Sequence, residues 1–156
     1  MENDKIKVLF LDFDGVLNSE KFVRSCEHYG VMLHPTRMIL LKQIIDATDA
    51  KIVLSTSWRM HWDKDERLCN NVGLDINRIF GEYQLKIFDK TPKLYDRVTE
   101  IKVWLENHPQ TQAFAVLDDA FLNADFLNDH FVRTSNLRNG LDEDDVKKAI
   151  SILNMI

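Results

Sequence analysis

The sequence predicts an α/β protein, a three-layer sandwich in which helices cover both faces of a doubly wound, mainly parallel sheet. Short apolar runs at Val8–Leu11, Lys51–Leu54 and Ala113–Leu117 read as strands buried on both faces, the pattern of parallel strands. Helical stripes of period 3.6 separate the runs. Each run also ends in polar chemistry at its carboxyl side: Asp12 and Asp14, then Ser55, then Asp118 and Asp119. In doubly wound sheets, ligands bind outside those strand ends.

Taken in order, Val8–Leu11 stops abruptly in two acids spaced i and i+2, followed at once by Gly15. Alternation along an extended backbone puts both carboxyl groups on one side of the strand end. Residues 18–33 are mixed, with Phe22, Val23, Tyr29 and Val31 among polar residues. Pro35 then opens a helix where its missing N–H does no harm, and Met38, Leu41, Ile44 and Ile45 form its apolar stripe. Residues 46–49 close it before the strand Lys51–Leu54, completing a βαβ unit. A short helix is expected over Asp63–Asn71 with Gly73 as its stop, and β-like character over Ile79–Phe88. Lys93–Asn107 reads as a helix with Val98, Ile101, Trp104 and Leu105 buried, broken by His108-Pro109. Phe131-Val132 suits an edge strand. Gly140 precedes a closing helix from about Asp142 to Asn154, with acids in the first turn and Val146, Ala149, Ile150 and Leu153 inward.

With 156 residues, 45% hydrophobic and 29% charged, the chain is expected to form one globular domain over 1–156. A net charge of −5 and a pI near 5.5 argue against a generally basic nucleic-acid-binding surface, although not against a local basic rim. Cys26 and Cys69 have no CxxC partner, and the five histidines show no ligand spacing, so neither a disulfide framework nor a zinc site is expected. Met1–Lys5 carries acids where a signal peptide needs a basic region, and no apolar run approaches the roughly 20 residues of a membrane span. A cytoplasmic location is the expectation. Oligomeric state is left open.

Two carboxylates converging at one strand end cost repulsion and desolvation unless a cation or proton lies between them. A calcium-binding EF-hand loop also opens Asp-x-Asp. It needs glycine at position six and glutamate at twelve, where this chain has Leu17 and Val23. Four acids and a hydroxyl at three strand ends suit a hard cation with oxygen ligands, Mg²⁺ above all. A carboxylate beside that cation, in line with phosphorus, can attack it and form an aspartyl-phosphate.

These residues carry a family resemblance. The strand followed by Asp12-Phe13-Asp14-Gly15, the strand Ile52–Leu54 ending in Ser55, and Phe114–Leu117 ending in Asp118-Asp119 resemble motifs one, two and four of the haloacid dehalogenase (HAD) superfamily. More narrowly, Ser55-Thr56-Ser57-Trp58-Arg59, Glu100-Ile101, Trp104-Leu105 and Gly140-Leu141 resemble the HAD domains associated with RNA-repair proteins. The resemblance implies a Rossmann-like HAD fold and a Mg²⁺-dependent phosphatase. Asp12 would be the nucleophile and a Mg²⁺ ligand. Asp14 would be the acid and base, its backbone carbonyl facing the metal. Ser55 would bind a phosphoryl oxygen, and Asp118 and Asp119 would complete or orient the metal shell. The basic residue of motif three is implied within Lys93, Arg97 and Lys102, with Arg97 preferred over Lys93 and Lys102 read as solvated. Implied substrates are a nucleic-acid end or nucleotide phosphate, with a small phosphorylated metabolite as the alternative.

Around this core, Arg59 reads either as a grip on a second phosphate or a backbone oxygen, or as a residue stacked or paired outside a packed Trp58. Trp62 offers a stacking surface or packs inward, Asn18 fixes the turn after Gly15, and His61 lies at the surface. About 20 residues separate Asp14 from the Pro35 helix, and residues 56–92 hold only a small insertion, so no large cap is expected and the site should be open to extended substrates. A phospho-accepting receiver would need adjacent acids after its first strand and a lone acid after its third, a pattern absent here. A HAD-fold binding module with weak catalysis remains the second alternative, because the basic residue is ambiguous.

Overall fold

In the computed structural model, residues 4–25, 30–136 and 139–155 are described. Met1 to Asn3, Cys26 and Tyr29, which entered the sequence reading, lie outside them. Five parallel strands form one sheet: β1 (Ile6–Leu11), β2 (Lys51–Leu54), β3 (Ile87–Lys90), β4 (Thr111–Asp118) and β5 (Phe131–Arg133), in the order β3-β2-β1-β4-β5. The helices are α1 (Glu20–Ser25), α2 (Pro35–Thr48), α3 (Asn71–Glu82), α4 (Arg97–Glu106) and α5 (Glu143–Asn154).

Strand alternation divides the core into two layers. Leu9, Leu11, Ile52, Leu54, Ala115 and Leu117 pack with Met38, Leu41 and Ile44 of α2, Ile76 and Phe80 of α3, and Ala149 and Leu153 of α5. Val8, Phe10, Val53 and Val116 point the other way, onto Ile101 and Trp104 of α4. Trp104 meets Phe10 edge-on at 5.4 Å, the geometry the ring quadrupoles favour. Strand order reverses between β1 and β4: the chain leaves β1 toward β2 and β3, then returns through α4 to pair β4 on the other side. That junction is the topological switch point, where the carboxyl ends of two neighbouring strands open a crevice.

The structure departs from the sequence reading in five places. Residues 20–25, read as mixed, contain α1. Where a helix is expected over Asp63–Asn71, the chain holds a single 3₁₀ turn at Glu66–Leu68, and Asn71 opens α3. Gly73, read as a stop, lies in the first turn of α3, whose cap is Asn70 accepting from the Val72 and Gly73 amides. A Cβ at Gly73 would fall 2.0 Å from the His61 carbonyl oxygen, so glycine is there for close approach, not termination. Ile79–Glu82 continues α3, and the β character begins only at Ile87. Finally, α4 starts at Arg97, not Lys93, because Asp96 is its extended N-cap and accepts from the Thr99 amide at 2.8 Å. Among the described residues no helix is long and apolar enough to cross a membrane.

Candidate active site

The turn after β1 is built to bring two acids to the switch point, Asp12 buried and Asp14 exposed. Gly15 takes φ +85°, a conformation that L side chains rarely adopt, and a Cβ there would lie 2.4 Å from the Asp119 carboxyl carbon. Asn18 locks the turn by accepting from the Gly15 amide at 3.0 Å while donating to the Met32 carbonyl at 2.8 Å. From the far side, Thr134 after β5 donates its hydroxyl to the Gly15 carbonyl at 2.6 Å.

Three carboxylates meet above this turn. Asp12, Asp118 and Asp119 each offer an oxygen within 4.8 Å of the others. Asp12 accepts from the Phe13 amide at 2.8 Å, and Asp118, fully buried, accepts from the Ala120 amide at 2.9 Å. One nitrogen of Arg97, Nη1, donates to both Asp12 Oδ2 at 3.1 Å and Asp118 Oδ2 at 2.8 Å. Burial first, then the charge of Asp118, pushes Asp12 up to about 7, against the opposing pull of Arg97. Asp119 is raised for the same two reasons. Burial disfavours the charged guanidinium of Arg97, but Asp12 and Asp118 outweigh it and hold the group charged. Among the described residues, Arg97 is the cation paired with these carboxylates, one charge against three, and a divalent ion among their hard oxygens would relieve the imbalance. The donor set fits Mg²⁺.

Asp14 stands apart from that cluster. Its carboxylate accepts from the Trp58 indole at 3.0 Å and from Asn18 Nδ2 at 3.1 Å. Ser55, at the end of β2, is buried, and its hydroxyl has no hydrogen-bond partner among the described residues, an uncommon state for a buried polar group and one that an incoming oxygen would relieve. Of the three basic residues singled out in sequence, Arg97 reaches the acids at the strand ends. Lys93 sits in the exposed loop before α4, on the wall of a cleft of about 360 Å³ that also touches Arg97. Lys102 is exposed on α4.

Of the readings of Arg59, the grip on backbone oxygens is the one its surroundings match, and those oxygens are the chain's own. The guanidinium is turned inward and 7% exposed, donating to the carbonyls of Thr56 and Thr91 and to Glu100 Oε2 at 2.8 Å. Trp62 is packed inward with its indole donating to Asn77, and His61 is partly exposed beside Asn70. Two partners were missed in sequence. The Trp58 indole on Asp14 leaves no local signal. Glu100 does leave one: it lies four residues before Trp104, on the buried face of α4, where a charge needs an opposite partner.

An all-parallel α/β sheet with paired acids at the ends of β1 and β4, a hydroxyl at the end of β2 and a cation between them defines the class of HAD-fold proteins. The chain belongs to the family described as the HAD domain in Swiss Army Knife RNA repair proteins, whose family model matches residues 8–146. No curated protein and no solved structure shows significant similarity to the chain. Membership points to phosphohydrolase-type function on a phosphorylated substrate.

Proposed function

We propose that this chain is a Mg²⁺-dependent phosphatase that works through an aspartyl-phosphate on Asp12. The observation that carries this reading is the Asp12–Asp118–Asp119 cluster at the switch point with Arg97 bridging two of its members. Asp12, Asp118 and Asp119 would hold the metal, joined by the backbone carbonyl of Asp14. The bound ion would neutralise charge on the phosphoryl oxygens and on Asp12.

The chain's own residues carry the rest. An Asp12 oxygen attacks phosphorus, the bond from phosphorus to the leaving oxygen breaks, and that oxygen takes a proton from Asp14. Asp14, now a carboxylate, removes a proton from water as the water attacks phosphorus. Inorganic phosphate leaves and Asp12 is restored. Trp58 and Asn18 hold the Asp14 carboxyl at the rim, where it can reach the leaving group rather than join the metal cluster. Ser55 donates its free hydroxyl to a phosphoryl oxygen, and Arg97 stabilises the charge developing on the transferred group.

The family's place in RNA repair proteins supports a phosphate-ended nucleic acid or a nucleotide as the substrate. So does the modest insertion after β2, whose described residues form 3₁₀ turns, α3 and β3 rather than a lid over the strand ends. The test is a screen of phosphate-ended oligonucleotides, nucleotides and sugar phosphates, with and without Mg²⁺. Metal-dependent release of phosphate, fastest from the nucleic-acid substrates, is expected. Metal-independent release, or preference for sugar phosphates, would overturn the cofactor or the substrate assignment respectively.

A further inference from the structure

Arg97 can bridge Asp12 and Asp118 only if the first turn of α4 is held against the strand ends. One turn further on, Glu100 is 6% exposed on the inner side of α4. A single oxygen, Oε2, accepts from Arg59 Nη2 and from the Leu94 amide, both at 2.8 Å. The remaining donors of Arg59 go to backbone: Nε to Thr91 at 3.1 Å, Nη1 to Thr56 at 2.8 Å and Nη2 to Pro92 at 3.4 Å. Thr91 in turn donates its amide and its hydroxyl to the Leu54 carbonyl at the end of β2. One guanidinium fork thus ties the loop after β2, the loop after β3 and the helix carrying Arg97. The partners of that fork are Thr56, Thr91, Pro92 and Glu100, not the Asp12, Asp118 and Asp119 carboxylates.

We infer that Arg59 and Glu100 are positioning residues for Arg97: the buried pair sets the height of α4 over the strand ends and so aims the cation of the active site. This inference rests on the role proposed above for Arg97. A planar, five-donor fork is needed because three separate chain segments must be satisfied at once, which the point charge of lysine cannot do. Pairing also explains why two charged side chains survive in this interior, since either alone would be a buried uncompensated charge.

The test is a double-mutant cycle read in single-turnover rates. Arg59→Lys keeps the charge and removes the fork. In the otherwise native chain it should slow phosphoryl transfer by about tenfold to a hundredfold, the range expected when a catalytic group is misplaced by about 1 Å. The loss should fall on kcat rather than KM. In an Arg97→Ala background the same change should cost almost nothing, because the group being aimed is gone. Glu100→Gln keeps the shape and the acceptor, so it should lose less than Arg59→Lys while showing the same non-additivity. Faster exchange of the Leu94 amide should accompany both. Equal losses in the two backgrounds would mean that the pair merely supports the fold, and no loss would mean that it does nothing for the reaction. Either result overturns the inference while leaving the phosphatase reading intact. A native chain without turnover on any phosphate would sink that reading, and this inference with it.

Discussion

At the scale of single residues, Asp12 has to be charged to act, yet it lies where charge is most expensive. Raised to about 7 from an ordinary 3.8, it binds a proton in the folded state across a pH range where the unfolded chain has released one. Metal-free stability contributed by this group therefore falls as pH rises from about 4 to about 7. Asp12→Asn, which cannot charge, should gain on the native protein over that window. The difference in melting temperature between the two, measured in chelator, should shift toward the variant from pH 5 to pH 8, and Mg²⁺ should suppress the shift. A pH-independent difference would show that Asp12 is not strained by its charge. Arg97→Ala should slow phosphoryl transfer by at least about a hundredfold, as for other lost transition-state charges. Lys93→Ala should be milder and Lys102→Ala almost silent. A severe Lys93 variant with a mild Arg97 variant would move the motif-three role into the loop before α4. Asp118 is fully buried and touches Arg97, whereas Asp119 is half-buried. Asp118→Ala should thus weaken Mg²⁺ binding more than Asp119→Ala in a titration of both, and the reverse order would exchange their roles.

Among the elements, the turn after β1 and the start of α4 decide whether these side chains meet. Gly15 combines a left-handed backbone with a carboxyl group standing where a Cβ would be. Gly15→Ala should consequently lower both stability and metal affinity, because relief of the clash has to displace Asp119. Differential scanning calorimetry and a Mg²⁺ titration would reveal it, and a variant with native metal affinity would contradict the geometry. The strands β1, β2, β4 and β5 and the helices α2 and α5 were legible in sequence because their patterns are local: apolar runs, a proline at N1, and acids in a first turn. The segment from 63 to 90 was not. Gly73 looks like a helix stop when read along the chain, and only its contact with the His61 carbonyl, made across space, gives its meaning. Arg59 is legible only in part for a similar reason. An arginine after a motif hydroxyl suggests a phosphate grip, while the buried acid that captures it lies 41 residues away.

For the molecule as a whole, strand order explains why distant residues form one site. Asp12, Ser55 and Asp118 end β1, β2 and β4, which lie side by side in the sheet, and α4 crosses behind them with Arg97 at its leading end. Sequence reading could assemble the three strand ends, since each carries its own polar signature. It favours Arg97 over Lys93 and Lys102 by position alone, because the helix start that brings Arg97 to the strand ends is set by the Asp96 cap. The central claim is that phosphate passes through Asp12. Its most direct test is a rapid acid quench of the native protein during turnover with Mg²⁺ and a phosphate-ended oligonucleotide, followed by peptide mass spectrometry. The expected result is a transient increase of one phosphoryl group on the peptide containing Asp12, absent in Asp12→Asn, which should also have lost turnover while remaining folded. A folded Asp12→Asn protein that still releases phosphate at a near-native rate, with no phosphoryl group trapped on the native peptide, would contradict it.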